Sequence, residues 1–299
     1  MPENLNAWPE LSWSEWQATA DTLHMWTQIA GKTRLALTPL QNHWWNVPLY
    51  VSARGLTTSP MPLRDGSGVL EIEFDFLAHM LQFRLSSGVS LALPLRAQSV
   101  AAFFAEYQAT LKRLGVEVAI WPMPVEVPTP IRFDLDEVHA SYDRDAVERF
   151  HRILMSCDTL FKRFSTRFLG KISPVHFFWG SFDLCVTRFS GRVAGGPPRS
   201  DKMQAEAYSH EVISCGFWPG NGGFGSAAFY CYAAPVPDGL GDKEIQPGTW
   251  NSALGEFLLP YDEVRATADP AGAILAFLGS TYSAAADAAN WDRAALDRK

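Results

Sequence analysis

Cysteine is scarce in this 299-residue chain, and its four cysteines form no C-x-x-C pair. Each of them (Cys157, Cys185, Cys215 and Cys231) lies within an apolar stretch. Zinc–thiolate sites need closely spaced ligands, and disulfide frameworks are typical of short secreted chains. The sequence therefore predicts buried free thiols in a reducing compartment, no metal site and a cytoplasmic location.

Long apolar runs and basic clusters are also missing. No uninterrupted apolar stretch approaches the roughly 20 residues of a membrane span. The first residues, Met1-Pro2-Glu3-Asn4, do not have the basic and apolar regions of a signal peptide. The formal net charge is -7 and the isoelectric point is about 5.5. An acidic chain without a basic patch is predicted to bind neither nucleic acid nor a membrane.

Familiar catalytic motifs are missing as well. The chain contains no H-E-x-x-H, no G-x-S-x-G and no P-loop sequence. Gly220 to Gly225 matches G-x-G-x-x-G, but a strand is predicted from Ala227 to Tyr232, where a dinucleotide-binding unit needs a helix. We interpret this segment as a glycine-rich hairpin, and the sequence leaves any cofactor unidentified.

What the chain does contain is one pattern that occurs twice. A predicted helix ends at a Gly-Lys pair, and a histidine with aromatic neighbours, a β-rich run, a Leu-Pro pair and a second helix follow. The first copy comprises Gly31-Lys32, His43-Trp44-Trp45, Val47 to Arg54, Leu93-Pro94 and Ser99 to Leu114. The second comprises Gly170-Lys171, His176 to Trp179, Phe182 to Phe189, Leu259-Pro260 and Ala271 to Ala288. The pattern predicts an α+β protein with two pseudo-repeated helix–antiparallel sheet–helix halves.

Hydrophobic periodicity predicts the boundaries of these halves. Helical spacing of apolar residues predicts helices from Trp13 to Ala30, with Gly31 as the C-cap, and from Asp145 to Leu169. The predicted strands are 34–37, 47–54, 69–76, 80–85, 89–93 and 116–121, then 175–179, 182–189, 208–217 and 227–233. Residues 122–130 contain four prolines and are predicted to be a connector. Residues 1–121 and 131–299 then form the two halves, either as separate units or as one compact domain.

Five segments of the chain are distinctive. They are Thr22 to Gln28, Asn42 to Trp45, Arg54 to Ser59, Ser173 to Asp183 and Tyr208 to Glu211. Together they resemble an uncharacterised bacterial family, a domain of unknown function, and the resemblance extends from Trp8 to Trp291. The resemblance implies one shared architecture and a bacterial source. It implies no activity and transfers no catalytic residue.

His176 is the leading catalytic candidate. Strand alternation places it on an apolar face, where an imidazole needs a hydrogen-bond partner, a metal or a substrate, and Asp183 is near enough in sequence to orient it. His210 would share a strand face with Glu206 and Tyr208, as an acid–base relay requires. Satisfied core histidines and a polar strand edge are the competing interpretations, and the sequence leaves both open.

The candidates for ligand binding are distributed over both halves. Trp44, Trp45 and Trp179 offer stacking surfaces. Arg54 and Arg188 lie in corresponding strands, where a guanidinium can bind a carboxylate or phosphate through two hydrogen bonds. Further candidates are His24, Gln28 and His43. Alternatively, the two arginines form structural salt bridges with Asp75, Asp183 or Glu211.

These observations predict an aromatic and histidine-lined cleft between the halves, because ligand pockets often form at such interfaces. The leading hypothesis is an enzyme that acts on a small, anionic organic molecule, with the reaction left open. The alternatives are a non-catalytic small-molecule-binding protein and a homo-oligomeric interaction module. The sequence leaves the oligomeric state undetermined.

Overall fold

The computed structural model describes residues 6–195 and 201–298. Its first half consists of a long helix, an antiparallel sheet and a second helix. The elements are α1 (Trp13–Leu37), β1 (Tyr50–Val51), β2 (Gly55–Thr57), β3 (Met61–Pro62), β4 (Val69–Asp75), β5 (Met80–Leu85), β6 (Ser90–Pro94) and α2 (Val100–Arg113). The strands follow the order β1-β2-β4-β5-β6, and β3 pairs with β4.

The second half repeats this arrangement with a larger sheet. Its elements are α3 (Arg144–Ser165), β7 (His176–Phe178), β8 (Asp183–Val193), α4 (Lys202–Ala207), β9 (His210–Trp218), β10 (Ala228–Ala234), β11 (Thr249–Asn251), β12 (Glu256–Pro260), α5 (Tyr261–Arg265), α6 (Pro270–Ala288) and α7 (Arg293–Leu296). The strand order is β11-β12-β10-β9-β8-β7, and every pairing is antiparallel. The predicted α+β class with two helix–sheet–helix halves is confirmed.

Local sequence signals explain where several helices begin. Ser99, Asp143 and Asp269 precede α2, α3 and α6, and each side chain accepts a hydrogen bond from a backbone N–H in the first helical turn. Such N-caps satisfy amides that have no partner inside the helix. Pro270 then occupies the first position of α6, where its missing N–H is no disadvantage.

The two halves share one core. The backbone N–H and C=O groups of Leu49 and Phe177 exchange two hydrogen bonds of 2.9 Å, which link the edges of the two sheets. One contiguous cluster of buried apolar side chains contains residues from both halves. Helix α1 lies inside this cluster, and every residue from Leu23 to Arg34 is buried. Both halves therefore build the core of the protein.

The predicted end of α1 is wrong. The helix continues through Gly31 to Leu37, and the strand predicted at residues 34–37 does not form. A side chain at Gly31 would overlap the indole ring of Trp179, so this glycine allows close packing rather than terminating the helix. Gly170, in contrast, follows the end of α3, and the two Gly-Lys pairs are therefore not structurally equivalent.

Two predicted strands of the first half also need correction. Residues 116–121 are irregular, because Val118 and Ile120 pack against the core without a neighbouring strand to pair with. The run predicted at residues 47–54 contains only β1, because the chain turns at once through a hydrogen bond between Ser52 and Gly55. None of the helices within the two described ranges is long and apolar enough to cross a bilayer.

Candidate functional site

A cluster of packed rings lies between the two halves, where the sequence predicts a cleft, and the cleft itself stays a prediction. His176 on β7 meets Trp45, Tyr50 and Phe178 edge-to-face, with ring centroids 5.9, 5.6 and 5.4 Å away. Its side chain is buried, with 1% exposed, and its Nε2 atom has no hydrogen-bond partner among the described residues. The structure thus brings His176 and Trp45 together, as the sequence suggested.

The chemistry of His176 is that of a neutral imidazole. Burial, with a smaller contribution from the Arg34 guanidinium, lowers the pKa of His176 to about 3. Desolvation disfavours the charged form of a histidine that has no acidic neighbour. At neutral pH the ring therefore carries no charge, and its role as a catalytic acid or base stays a prediction.

Asp183 does not orient His176. The two lie on paired strands, but His176 is opposite Cys185, and Asp183 is opposite Phe178. The Asp183 carboxylate instead accepts hydrogen bonds from the hydroxyl groups of Ser181 and Tyr230. Burial raises the pKa of Asp183, although both hydroxyl groups oppose the shift. The predicted His176–Asp183 pair is wrong, because the nearer hydroxyl groups satisfy the carboxylate.

His43 lies in a short turn and is held from both sides. Its Nδ1 atom lies 3.2 Å from the carbonyl oxygens of Glu206 and Ala207, and the Lys171 ammonium lies 2.7 Å from Nε2. Carbonyl oxygens only accept hydrogen bonds, so Nδ1 carries the proton and Nε2 accepts from Lys171. Burial and the Lys171 charge lower the pKa of His43, while the carbonyl groups oppose this. His43 is a neutral structural link.

The predicted relay of Glu206, Tyr208 and His210 on one strand face is wrong. Glu206 belongs to α4, Tyr208 follows its last turn, and only His210 lies on β9. The segment instead forms a short helix, and the Asp201 side chain caps it by accepting a hydrogen bond from a backbone N–H of the first turn. The His210 ring still lies 5.6 Å from His43, at the border of the ring cluster.

Other predicted ligand-binding residues hold the backbone together. The Nε2 atom of His24 lies 2.8 Å from the Gly180 carbonyl oxygen. The Gln28 side-chain amide exchanges two hydrogen bonds of 2.9 Å with the backbone of Val125. Trp179 donates from Nε1 to the Val47 carbonyl oxygen at 2.8 Å. Each of these contacts joins α1 or the first half to a distant segment. They support the packing of the two halves.

Two further candidates, Trp44 and Arg54, also lie away from the His176 ring. Trp44 is half-buried against the core, and its Nε1 atom has no partner among the described residues. The Arg54 guanidinium lies 2.5 Å from the Asp75 carboxylate. Burial raises the pKa of Asp75, but Arg54 and two backbone amides outweigh it and hold that pKa below its ordinary value. The salt-bridge interpretation is confirmed for Arg54.

Arg188 occupies the other face of the same sheet. Along β8 the buried side chains of Leu184, Val186 and Arg188 share the face that α3 and α6 cover. The Arg188 guanidinium carbon lies 3.5 Å from the ring centroid of Phe164 and 4.1 Å from that of Tyr282. Arg188 is therefore separated by the sheet from the Asp183 side chain.

Arg188 is only partly satisfied by the protein. It donates one hydrogen bond of 2.6 Å to the Phe164 carbonyl oxygen, near the end of α3. With 2% of the residue exposed, its Nε atom has no partner among residues 6–195 and 201–298. Burial lowers the pKa of Arg188, yet a guanidinium stays protonated in proteins. A buried cation without a paired anion is costly.

A cavity of ≈ 550 Å³ adjoins this arginine, between the end of α3, the middle of α6 and the C-terminal segment. Five arginines and one aspartate are its charged lining residues: Arg163, Arg167, Arg188, Arg293, Arg298 and Asp297. Arg293 forms ion pairs with Asp287 and Asp297. Arg298 donates to the Thr166 carbonyl oxygen at 2.8 Å. We call this space the arginine cavity.

The end of α3 accounts for part of this positive charge, because unpaired carbonyl groups at a helix C-terminus attract cations. Arg163 in the last turn of α3 fits this explanation. Arg163 and Arg167 have exposed side chains that make no hydrogen bond or ion pair with the described part of the chain. Cationic donors therefore remain unpaired on the cavity wall, which the Arg188 side chain also lines. Within the described ranges, no group of three His, Cys, Asp or Glu residues is placed to hold a metal ion.

Comparison with known sequences decides the family. A family model described as a family of unknown function, DUF5996, matches residues 8–298. The chain belongs to the DUF5996 family. No curated protein and no solved structure matches it. The resemblance to an uncharacterised family is confirmed, and the bacterial source stays a prediction.

In this DUF5996 protein, the sequence reasoning found Arg188 but missed its neighbours. Arg163 and Arg167 are four residues apart near the end of α3, a spacing that places two side chains on one side of a helix. That spacing was the available signal. No sequence signal places Arg298 at the cavity, because its position depends on a backbone hydrogen bond from Arg298 to Arg167, which is far away in sequence.

Proposed function

We propose that this protein binds a small anionic organic molecule in the arginine cavity. The observation that carries the proposal is the buried Arg188 guanidinium, whose Nε has no partner within the described residues although the side chain lines an open cavity. An anion beside this guanidinium would compensate a charge that the protein leaves unpaired. The same reasoning explains why Arg163 and Arg167 converge on this space.

The chemistry of the cavity selects phosphate or carboxylate groups. A planar guanidinium presents parallel N–H donors that match two oxygens of either group. A volume of ≈ 550 Å³ lies within the roughly 300–1,000 Å³ that is usual for small-molecule pockets. Leu275, Ala276 and Gly279 of α6 add an apolar wall for a short carbon skeleton.

The lining favours binding over catalysis. The residues that line the arginine cavity include no histidine, lysine or cysteine. Its one phenol, on Tyr282, already donates to the Asp297 carboxylate at 2.5 Å. General acid–base chemistry needs a group that can exchange a proton near neutral pH. We therefore favour a non-catalytic small-molecule-binding protein over an enzyme that reacts its substrate in this cavity.

A paired set of variants tests the proposal, with inorganic pyrophosphate and citrate as probes in isothermal titration calorimetry at low salt. We expect at least one probe to bind. The double variant Arg163→Gln/Arg167→Gln should weaken it at least tenfold, because charge-assisted hydrogen bonds contribute about 1.5–3 kcal/mol each. Both side chains are exposed, so the fold should survive.

The matched control is Arg113→Gln. Arg113 is also an exposed arginine at the C-terminal end of a helix, α2, and it lies outside the cavity lining. A second variant, Gly279→Phe, should block the cavity without removing a charge, since space is open where its side chain would project. An equal loss of probe affinity in Arg113→Gln and in the double variant would contradict the proposal. Unchanged probe affinity in Gly279→Phe would also contradict it.

A further inference from the structure

Helix α1 carries a polar stripe at four-residue spacing, formed by His24, Gln28 and Lys32, which packs against the second half and the connector. The first two residues are satisfied by backbone groups. Lys32 is not. Its ammonium lies between two indole rings, 5.2 Å from the centroid of Trp121 and 5.6 Å from that of Trp179.

The burial of Lys32 is not balanced by an opposite charge. The residue is 7% exposed, and its side chain makes no ion pair or hydrogen bond with the described residues. Burial lowers the pKa of Lys32 to about 8, and no neighbouring charge contributes to this shift. At pH 7.5 about a quarter of such side chains are neutral amines, against about one in a thousand for an unperturbed lysine.

The surroundings of this amine suit a flat, electrophilic molecule. Trp179 is buried and fixed by its hydrogen bond to Val47, whereas Trp121, the residue before the connector, is 65% exposed. Two indole faces around a desolvated amine offer stacking surface and a nucleophile together. Lysines in such environments form Schiff bases with carbonyl compounds.

We propose that Lys32 is a nucleophilic lysine that forms an imine with a small planar aldehyde or ketone between Trp121 and Trp179. The neutral amine attacks the carbonyl carbon, and a C–N bond forms. The nitrogen gives up its two protons, the carbonyl oxygen takes up two and leaves as water, and a C=N bond replaces the C=O bond. This site is separate from the arginine cavity, which Lys32 does not line.

Reductive trapping tests this proposal on the full chain. The protein is incubated with benzaldehyde and sodium cyanoborohydride at pH 7.5, and the modified lysines are quantified by peptide mass spectrometry. Lys112 is the internal control, because it is exposed on α2 and has no carboxylate partner within the described ranges. We expect Lys32 to react at least tenfold faster than Lys112, with an advantage that disappears as the pH approaches 10.

The variant Trp121→Ala separates nucleophilicity from simple access. Removing this exposed indole opens the amine to water, which should raise the pKa of Lys32 and reduce its preferential labelling. The fold should be unaffected, since most of the Trp121 side chain lies outside the core. Labelling of Lys32 that is no faster than that of Lys112, or faster in Trp121→Ala than in the parent protein, would overturn the proposal.

Discussion

Two buried nitrogen atoms without partners, on His176 and Arg188, lie on opposite faces of one sheet. The imidazole is surrounded by aromatic rings and avoids the cost of burial by staying neutral. The guanidinium has no neutral state available to it and adjoins open space lined by further cations. A missing partner thus has different meanings at the two residues. At His176 the neutral ring needs no opposite charge, whereas at Arg188 the charge is what the proposed anion would compensate.

The neutral state of His176 predicts a pH dependence of stability. Its pKa is lowered to about 3 in the folded protein, so between the ordinary value near 6.5 and about 3 only the unfolded chain takes up this proton. The contribution of the neutral His176 to the free energy of unfolding is therefore fully present above pH 6.5, and it is lost as the pH decreases through this window. At pH 5 the titration of His176 lowers the free energy of unfolding by about 2 kcal/mol.

The variant His176→Phe keeps an aromatic ring and removes the titration. Urea unfolding at pH 7.5 and pH 5 should show a loss of stability that is smaller than in the parent protein by about 2 kcal/mol. The buried His24, whose pKa is lowered to about 4, keeps titrating in both proteins and serves as an internal reference. An identical loss in the two proteins would show that His176 is protonated in the fold.

At this scale the sequence predicts which residues matter better than what they contact. Alternation along β8 correctly grouped Arg188 with apolar side chains, because strand geometry is local. The pairing of His176 with Asp183 failed, because the partners of a carboxylate depend on the registry of neighbouring strands. Tyr230, which satisfies Asp183, lies 47 residues away in sequence.

At the scale of elements, two helical glycines have opposite roles. In α1, a methyl group at Gly31 would overlap Trp179, whereas at Gly279 in α6 it would meet open space. Alanine favours a helix over glycine by about 1 kcal/mol. We expect Gly279→Ala to stabilise the protein by about 0.5–1 kcal/mol and Gly31→Ala to destabilise it by about 1–3 kcal/mol.

Chemical denaturation of the two alanine variants measures both effects under one set of conditions. The same substitution in the same secondary structure isolates the packing of Trp179 as the difference between the sites. Stabilisation by Gly31→Ala would mean that this glycine is not needed for close packing.

The helices and strands that were predicted well are those with local signals. β5 has the predicted bounds, and α6 begins one residue before the predicted Ala271 and ends at the predicted Ala288. The end of α1 was misplaced because glycine often terminates helices, and the reason for Gly31 lies in Trp179, a residue of the other half. The short strand β3 and helix α4 were missed because each is too short to show a hydrophobic periodicity.

At the scale of the whole molecule, the contacts of α1 and the Leu49–Phe177 pair predict that the halves unfold together. Gln28 ties the connector to α1, and one apolar cluster spans both sheets. We expect a single unfolding transition in urea, with coincident midpoints for tryptophan fluorescence and far-ultraviolet circular dichroism. Two separated midpoints would show that residues 1–121 and 131–299 are independent units.

Family membership leaves the biochemical role of the molecule to be established from its site. The central claim is that the arginine cavity is an anion-binding site. The most direct measurement is a pair of crystal structures of the protein, one with a high concentration of inorganic pyrophosphate and one with a high concentration of citrate. We predict an anion in the cavity beside the Arg188 guanidinium, in contact with Arg163 or Arg167. An ordered cavity that is empty in both structures, with Arg188 in its present position, would contradict anion binding at this site.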